Sequence, residues 1–124
     1  MKNVITMLIV LALLAGGAIY ERNFIHKEFS QFSHSLTCLY QKVEDGSATE
    51  DDIYSVQQNW LDKKRKLHAF IPHNEIKEID LWIAESVLYV KNGDFQEALA
   101  KIEVLIELAE QIPTTFSVRF ENIL

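Results

Sequence analysis

The sequence predicts an all-α protein in which an N-terminal transmembrane helix is followed by an up-and-down antiparallel bundle of three to four helices. Three observations lead to this fold class. Residues 4–20 carry no charge, apolar residues recur at intervals of three and four from Phe24 onward, and glycines and prolines interrupt this pattern only briefly. Helices of about 20 residues joined by connections of about two to six residues pack as antiparallel neighbours.

The uncharged stretch "VITMLIVLALLAGGAIY", residues 4–20, is the candidate anchor. As a helix with a rise of about 1.5 Å per residue it reaches about 25 Å, close to the roughly 30 Å hydrocarbon core of a bilayer. Lys2 precedes this stretch, and Glu21 and Arg22 follow it. This charge distribution predicts a single-pass protein of the cell membrane with a cytoplasmic amino terminus and an extracytoplasmic remainder.

Two other interpretations of this stretch remain open. A cleaved signal peptide would use Ala15 and Gly17 as its small-residue positions, whereas Tyr20 is typical of an interfacial anchor. A buried core helix would need apolar neighbours on every face, which a small bundle does not provide. We therefore expect a membrane anchor or uncleaved signal at residues 1–22 and an extracytoplasmic helical bundle domain at residues 23–124.

The first amphipathic segment is expected to continue directly from the anchor. Its apolar stripe consists of Ile25, Phe29, Phe32, Leu36, Leu39 and Val43. Gly46 is the predicted C-terminal stop. Ser47 with Glu50 three residues later predicts a capping box for the second segment.

The second and third segments are expected to meet at Pro72. The residue before a proline is disfavoured in helical dihedrals, and a proline is tolerated as the first residue of a helix. The second segment carries Ile53, Val56, Trp60, Leu67 and Ile71 on one face. The third segment presents Ile76, Ile79, Ile83, Val87 and Val90, and it ends at Asn92 and Gly93.

Asp94 is the predicted N-cap of the fourth segment. The inward-facing residues of this segment are Phe95, Ala98, Leu99, Ile102, Leu105, Ala109 and Ile112. Pro113 is expected either to kink or to end the helix. The last eleven residues, "TTFSVRFENIL", are compatible with a further short helix or an extended stretch, and we favour the helix.

Charge excludes nucleic acid as an expected partner. The chain has a formal charge of −6, and without its first twenty residues, whose only charge is Lys2, the charge becomes −7. Nucleic-acid binding needs a concentrated basic face. The basic run "KKRK" at residues 63–66 is interpreted instead as a solvated C-terminal turn that complements the helix dipole. The single cysteine, Cys38, excludes an intramolecular disulfide.

Two histidines flank a predicted helix corner in "HAFIPHNEI", residues 68–76. A tight turn would bring His68 and His73 together, and Asp80 follows seven residues beyond His73 on the same edge of the third segment. Such groups can transfer protons or bind a metal ion, so these three residues are the candidate metal or catalytic site. The simpler interpretation is a corner whose polar residues satisfy free N–H groups of a helix. We assign no metal or cofactor.

Other metal patterns are weaker. The sequence contains no Glu-x-x-His pair of the kind used in di-iron bundles and no His-x-x-x-His or His-Glu-x-x-His motif. His34 and Cys38 share a helix face but would supply only two ligands.

Aromatic residues suggest a partner surface instead. Trp82 lies beside the core stripe with Tyr89 seven residues later, and these two residues with His73 are the candidates for partner binding.

Two family resemblances accompany these patterns. Residues 79–113 resemble a tetratricopeptide repeat, at Trp82, Ser86, Tyr89, Gly93, Phe95 and Ala98, which implies a helix hairpin of similar construction. The whole chain resembles a family of small, membrane-anchored helical proteins of Gram-positive, often spore-forming, bacteria that is catalogued as a domain of unknown function. The features that carry this second resemblance are the apolar start, Trp60, Leu67, Phe70, "HNEIKEID" at 73–80, "GDFQEAL" at 93–99 and "ENIL" at 121–124.

Taken together, the residues predict a membrane-anchored extracytoplasmic protein that binds another protein, as an adaptor or as an accessory or assembly subunit. Its protein partner at the membrane is unknown, residues 4–20 contact the lipid bilayer, and no enzymatic activity or cofactor is expected. The alternative is a metal-dependent sensor or enzyme that uses the corner formed by His68, His73 and Asp80.

Overall fold

The structure, a computed structural model, describes the backbone of residues 2–123 and the side chains of residues 2–115. Four helices and no strand occur in this part of the chain. The helices are α1 (Lys2–Glu44), α2 (Glu50–Leu67), α3 (His73–Lys91) and α4 (Phe95–Ile123). The all-α prediction with four helical segments is confirmed.

Each helix packs against two others, so the four form a closed bundle. α1 contacts α2 and α4, and α3 contacts the same two helices. Short turns of three to five residues make consecutive helices antiparallel. The expected helix hairpin of α3 and α4 is one side of this bundle.

The core consists of the predicted stripes. All six predicted positions of α1 and all five of the second segment are buried. Val87, Phe95 and Leu99 pack at the margin of the core and are only partly buried. Because an α-helix repeats every 3.6 residues, a three-and-four spacing places these side chains on one face and toward the other helices.

α1 runs without interruption from the apolar stretch into the bundle, as predicted. Its bundle portion contains seven buried residues, beginning at Ile25. No residue in its most apolar 18-residue window is buried, and the mean hydropathy of that window is 2.1. One continuous helix therefore joins a fully uncovered apolar segment to the core.

The α1–α2 turn corrects the predicted capping box. Gly46 has φ 74°, and the Ser47 N–H donates to the Lys42 carbonyl at 2.9 Å, which closes α1 with a Schellman-type turn. Ser47 therefore belongs to the end of α1. The N-cap of α2 is Thr49, which is extended and forms the reciprocal box with Asp52. The predicted pair of Ser47 and Glu50 was wrong, because the turn consumes two more residues before the chain becomes extended.

The α2–α3 corner begins earlier than predicted. α2 ends at Leu67, and the N–H groups of Phe70 and Ile71 both donate to its carbonyl, at 2.9 and 3.0 Å. The chain leaves the helix before Pro72 because the residue preceding a proline avoids helical dihedrals. Pro72 itself has φ −56° and ψ 144° and occupies the N-cap of α3, so the first helical residue is His73 and not, as predicted, Pro72.

α4 continues through Pro113 and corrects the expectation of a separate terminal helix or strand. Asp94 caps it as predicted, since its Oδ1 accepts from the Glu97 N–H at 3.4 Å. Just after Pro113, the hydroxyls of Thr114 and Thr115 donate to carbonyls one turn earlier, at 3.3 and 3.1 Å. Helical conformation then extends to Ile123, so the extended alternative was wrong.

Candidate functional site

The α2–α3 corner lies beside α1 just past the end of the apolar stretch. The rings of Phe24 and Phe70 meet edge to face with centroids 5.8 Å apart, and the rings of Tyr20 and Phe24 stack at 6.5 Å. Phe70 belongs to the corner and Tyr20 is the last residue of the uncharged stretch. The histidine-containing corner is therefore at the end of the bundle next to the apolar stretch, although it is far from that stretch in sequence.

The two corner histidines line one open cleft of about 570 Å³. Its lining consists of Leu61, Lys64, Arg65, His68, His73 and Ile76. His68 Nδ1 donates to the Arg65 carbonyl at 3.0 Å, which leaves its Nε2 as the nitrogen available to other groups. His68 and His73 therefore face the same open cleft at this corner.

Asp80 is engaged elsewhere. Its Oδ1 accepts from Trp60 Nε1 at 2.7 Å, and its Oδ2 lies 2.7 Å from Lys64 Nζ. Asp80 thus satisfies the indole N–H of a buried tryptophan and ties α2 to α3. Neither of its oxygens is paired with a corner imidazole, so the structure does not assemble the His–Asp arrangement that the sequence suggested.

Among the described side chains, no three His, Cys, Asp or Glu residues are grouped so that they could hold a metal ion. His34 Nε2 and Cys38 Sγ lie 3.7 Å apart on the exposed face of α1. They line an open groove of about 450 Å³ between α1 and α2, together with Lys42 and Asp52, which pair with each other at 2.9 Å.

A buried charge pair was missed by the sequence reasoning. Lys63 Nζ lies 2.9 Å from Glu28 Oε2, and both side chains are buried between α1 and α2. Gln31 Oε1 accepts a hydrogen bond from the same ammonium group. The interpretation of residues 63–66 as a uniformly solvated run was therefore wrong for Lys63. Its spacing, three residues after Trp60 and four before Leu67, is the signal that places it on the core face.

The predicted partner surface is organised around Lys101 of α4. Its Nζ lies 5.2 Å from the ring centroid of Trp82 and 5.9 Å from that of Tyr89, close enough for cation–π contact with both. Glu85 lies 3.9 Å from the same ammonium group. Trp82 and Tyr89 are half-buried along one side of α3. His73 is not part of this cluster, since it lines the cleft at the α2–α3 corner.

Further apolar groups extend this surface around α3. Leu81 and Leu88 are 57% and 53% exposed, one heptad apart on the side of α3 opposite its core stripe. Ala84, also exposed, lies between them on the same side. We call Leu81, Ala84 and Leu88 the α3 ridge. It runs next to the two aromatic residues and has no partner within the described bundle.

Comparison with known proteins identifies the family but no activity. No curated protein and no solved structure gives a significant match to the chain. A family model described as "Domain of unknown function (DUF4363)" matches residues 19–123, which include the whole bundle and leave out most of the apolar stretch. The chain therefore belongs to the DUF4363 family.

Proposed function

We propose that this protein is a membrane-anchored accessory or adaptor subunit that binds another protein through the α3 ridge. The observation that carries the proposal is the exposure of Leu81 and Leu88 beside Trp82 and Tyr89. Contiguous exposed apolar surface with a polar rim is typical of interaction sites, whereas isolated exposed leucines are not informative. Here the apolar groups are contiguous along one helix.

The spacing of the ridge suits a helical partner. Residues at i, i+3 and i+7 form one stripe along an α-helix, which is how amphipathic helices present their anchors to one another. Glu85 and Lys101 lie at the edge of this stripe and pair at 3.9 Å. They would supply a charged rim around an apolar contact. Such a rim favours one orientation of the partner more than it adds affinity.

We propose no catalytic role. The corner cleft contains His68 and His73, but Asp80, the carboxylate expected to assist them, is held by Trp60 and Lys64. That engagement supports a structural assignment for Asp80. The metal-dependent alternative gains no support from the positions of the described residues.

Placement at the membrane is the second part of the proposal. α1 is long and apolar enough to cross a bilayer, and its apolar window is uncovered by the rest of the described chain. From Lys2 before the stretch we infer a cytoplasmic amino terminus and an extracytoplasmic bundle. The partner would then be a membrane or extracytoplasmic protein.

Site-specific photo-crosslinking in native membranes tests the partner surface. A photoreactive phenylalanine analogue at Ala84 places the probe between the two leucines without removing either. We expect one dominant adduct of larger mass, and we expect the pair of substitutions Leu81→Ser and Leu88→Ser to abolish it. The matched control carries the probe at Gln58, which is exposed on α2 and away from the ridge.

Three results would overturn the proposed partner surface. The first is the absence of any discrete adduct from Ala84. The second is an equally strong adduct from Gln58, which would indicate unspecific collision. The third is an adduct consisting of two copies of this chain, which would make the ridge a self-association surface.

A further inference from the structure

We infer that the α2–α3 corner rests on the headgroup layer of the bilayer that holds residues 4–20, with Phe70 entering the interface. This inference rests on the proposed anchoring of α1. It adds that the bundle makes a second contact with the lipid, through a segment that lies about fifty residues after the anchor.

The continuity of α1 fixes the height of the corner above the membrane. α1 is one helix from Lys2 to Glu44, so no flexible joint separates the apolar stretch from the bundle. Tyr20 ends the apolar stretch, and Phe24 follows one turn later, about 6 Å farther along the axis. The headgroup region on each side of a bilayer is about 5–7 Å thick. Phe24, and Phe70 that packs against it, therefore fall within this layer.

The chemistry of the corner matches this position. Phe70 remains 39% exposed although it packs on Phe24, and its neighbours His68 and Ala69 are exposed as well. Aromatic rings are favoured at the membrane interface, where an apolar body meets a polar layer. The rings of Tyr20, Phe24 and Phe70 form a continuous series from the anchor to the corner.

One exposed basic residue supports lipid as the occupant of this surface. The basic run at residues 63–66 lies at the end of α2 that leads into the corner. Lys63 of this run is buried and paired with Glu28, and Lys64 and Arg65 are paired with Asp80 and Asp62. Lys66, exposed on the last turn of α2, is the basic residue that remains for a lipid headgroup. Basic side chains near the interface interact favourably with lipid phosphates. The acidic residues Glu50, Asp51 and Asp52 lie at the opposite end of α2, away from the anchor.

Depth-dependent fluorescence quenching tests this inference on the full chain. The protein with Cys38→Ser is reconstituted in phosphatidylcholine–phosphatidylglycerol vesicles, and single cysteines are introduced for a fluorescent label by Leu13→Cys, Phe70→Cys or Leu88→Cys. Lipids carry a nitroxide either on the headgroup or on the acyl chain. Ala69→Cys is a second corner variant, which keeps the Phe70 ring in place. Far-ultraviolet circular dichroism of each labelled protein confirms that it is folded.

We expect acyl-chain nitroxides to quench the label at position 13, and headgroup nitroxides to quench labels at positions 69 and 70. The label at position 88 should keep its fluorescence with both lipids. Quenching at 13 without quenching at 69 and 70 would overturn the corner contact while leaving the anchor in place. Equal quenching at 70 and 88 would also overturn it, since the bundle would then lie along the membrane. Absence of quenching at 13 would overturn the anchoring itself, and with it this inference.

Discussion

Lys63 Nζ lies 2.9 Å from Glu28 Oε2 in the interface between α1 and α2, where the two side chains are 8% and 6% exposed. Oε2 accepts no well-aligned hydrogen bond, so its contact with the ammonium group is ionic. The pair joins α1, which carries the apolar stretch, to α2, which leads into the corner. Two charges are thus kept from water at the junction between these helices, and each charge is stabilised by the other.

Removing one member of this pair should be far more harmful than removing both. Lys63→Met leaves the Glu28 carboxylate buried without a counter-charge, which costs about 3–5 kcal/mol of unfolding free energy. Glu28→Leu combined with Lys63→Met should recover most of that loss, because a buried ion pair and an apolar pair are close to equivalent. Urea unfolding of the full chain in detergent, followed by tryptophan fluorescence, measures both. A double variant as unstable as Lys63→Met would contradict the account.

Asp80 is expected to act as a structural acceptor. Asp80→Ala leaves the buried Trp60 indole N–H without a partner, which should cost about 1–3 kcal/mol. Asp80→Asn keeps a carbonyl oxygen at that place and loses only the part-exposed contact with Lys64, so its effect should be smaller. The same unfolding assay ranks the two variants. If Asp80→Asn lowers the free energy of unfolding as much as Asp80→Ala does, the hydrogen bond to Trp60 is not how Asp80 stabilises the protein.

Much of this fold follows from the sequence, because burial in a helix follows a local period. The stripe from Ile25 to Val43 was predictable from spacing alone. The capping box was not, since Ser47 and Thr49 are both good caps and the choice depends on how many residues the turn at Gly46 uses. The burial of Lys63 was missed because a run of four basic residues was interpreted as one unit. Successive side chains of an α-helix point in different directions, so the four residues do not share one environment.

In the candidate site, too, the features set by local sequence were predictable and those set by helix packing were not. That His68 and His73 share a cleft follows from the short turn between them. The partners of Asp80 do not follow from local sequence, because Trp60 lies twenty residues away and reaches it only through packing of α2 on α3. The position of the corner beside Phe24 is likewise a property of the assembled bundle.

The Lys42–Asp52 contact should make stability depend on pH in acid. A hydrogen bond from Lys42 holds the pKa of Asp52 below its ordinary value, and the same contact raises the pKa of Lys42. The contribution of the Asp52 carboxylate to the free energy of unfolding is therefore complete above about pH 4, and it is lost as the pH falls through the lowered pKa. The contribution of the Lys42 ammonium group to the free energy of unfolding is complete below about pH 10.4, and it is lost as the pH rises through the raised pKa.

Asp52→Asn should consequently reduce stability at neutral pH and lose this effect in acid, once the pH has fallen through the lowered pKa of the wild-type carboxyl. Thermal unfolding monitored by circular dichroism across this pH range provides the comparison. Asp51→Asn is the matched control, since Asp51 is exposed in the same helical turn. An Asp52→Asn deficit that stays the same size from neutral pH to the acid side of the lowered pKa would show that the charge is not responsible.

Gly46 should be sensitive to substitution for conformational reasons alone. Its φ of 74° lies in the left-handed region, and a Cβ added there meets no atom within 4 Å. Gly46→Ala should therefore cost about 1–2 kcal/mol, and Gly46→Asn less, because asparagine tolerates this conformation. Gly16→Ala, in the regular part of α1 with equally open space, should not destabilise the protein, because alanine is favoured over glycine inside a helix. A harmless Gly46→Ala would show that the turn adopts another conformation.

The proposed placement of α1 in the membrane underlies both the proposed function and the proposed contact of the corner with lipid, and Cys38 offers its most direct test. This residue is exposed on α1 and is the single cysteine of the chain. A membrane-impermeant maleimide–polyethylene glycol reagent, applied to intact cells that express the native chain, should add mass to it. The variant Asn3→Cys with Cys38→Ser should react only after permeabilisation. Protection of Cys38 until the cells are opened, or recovery of the chain in the soluble fraction, would contradict a membrane-anchored extracytoplasmic bundle.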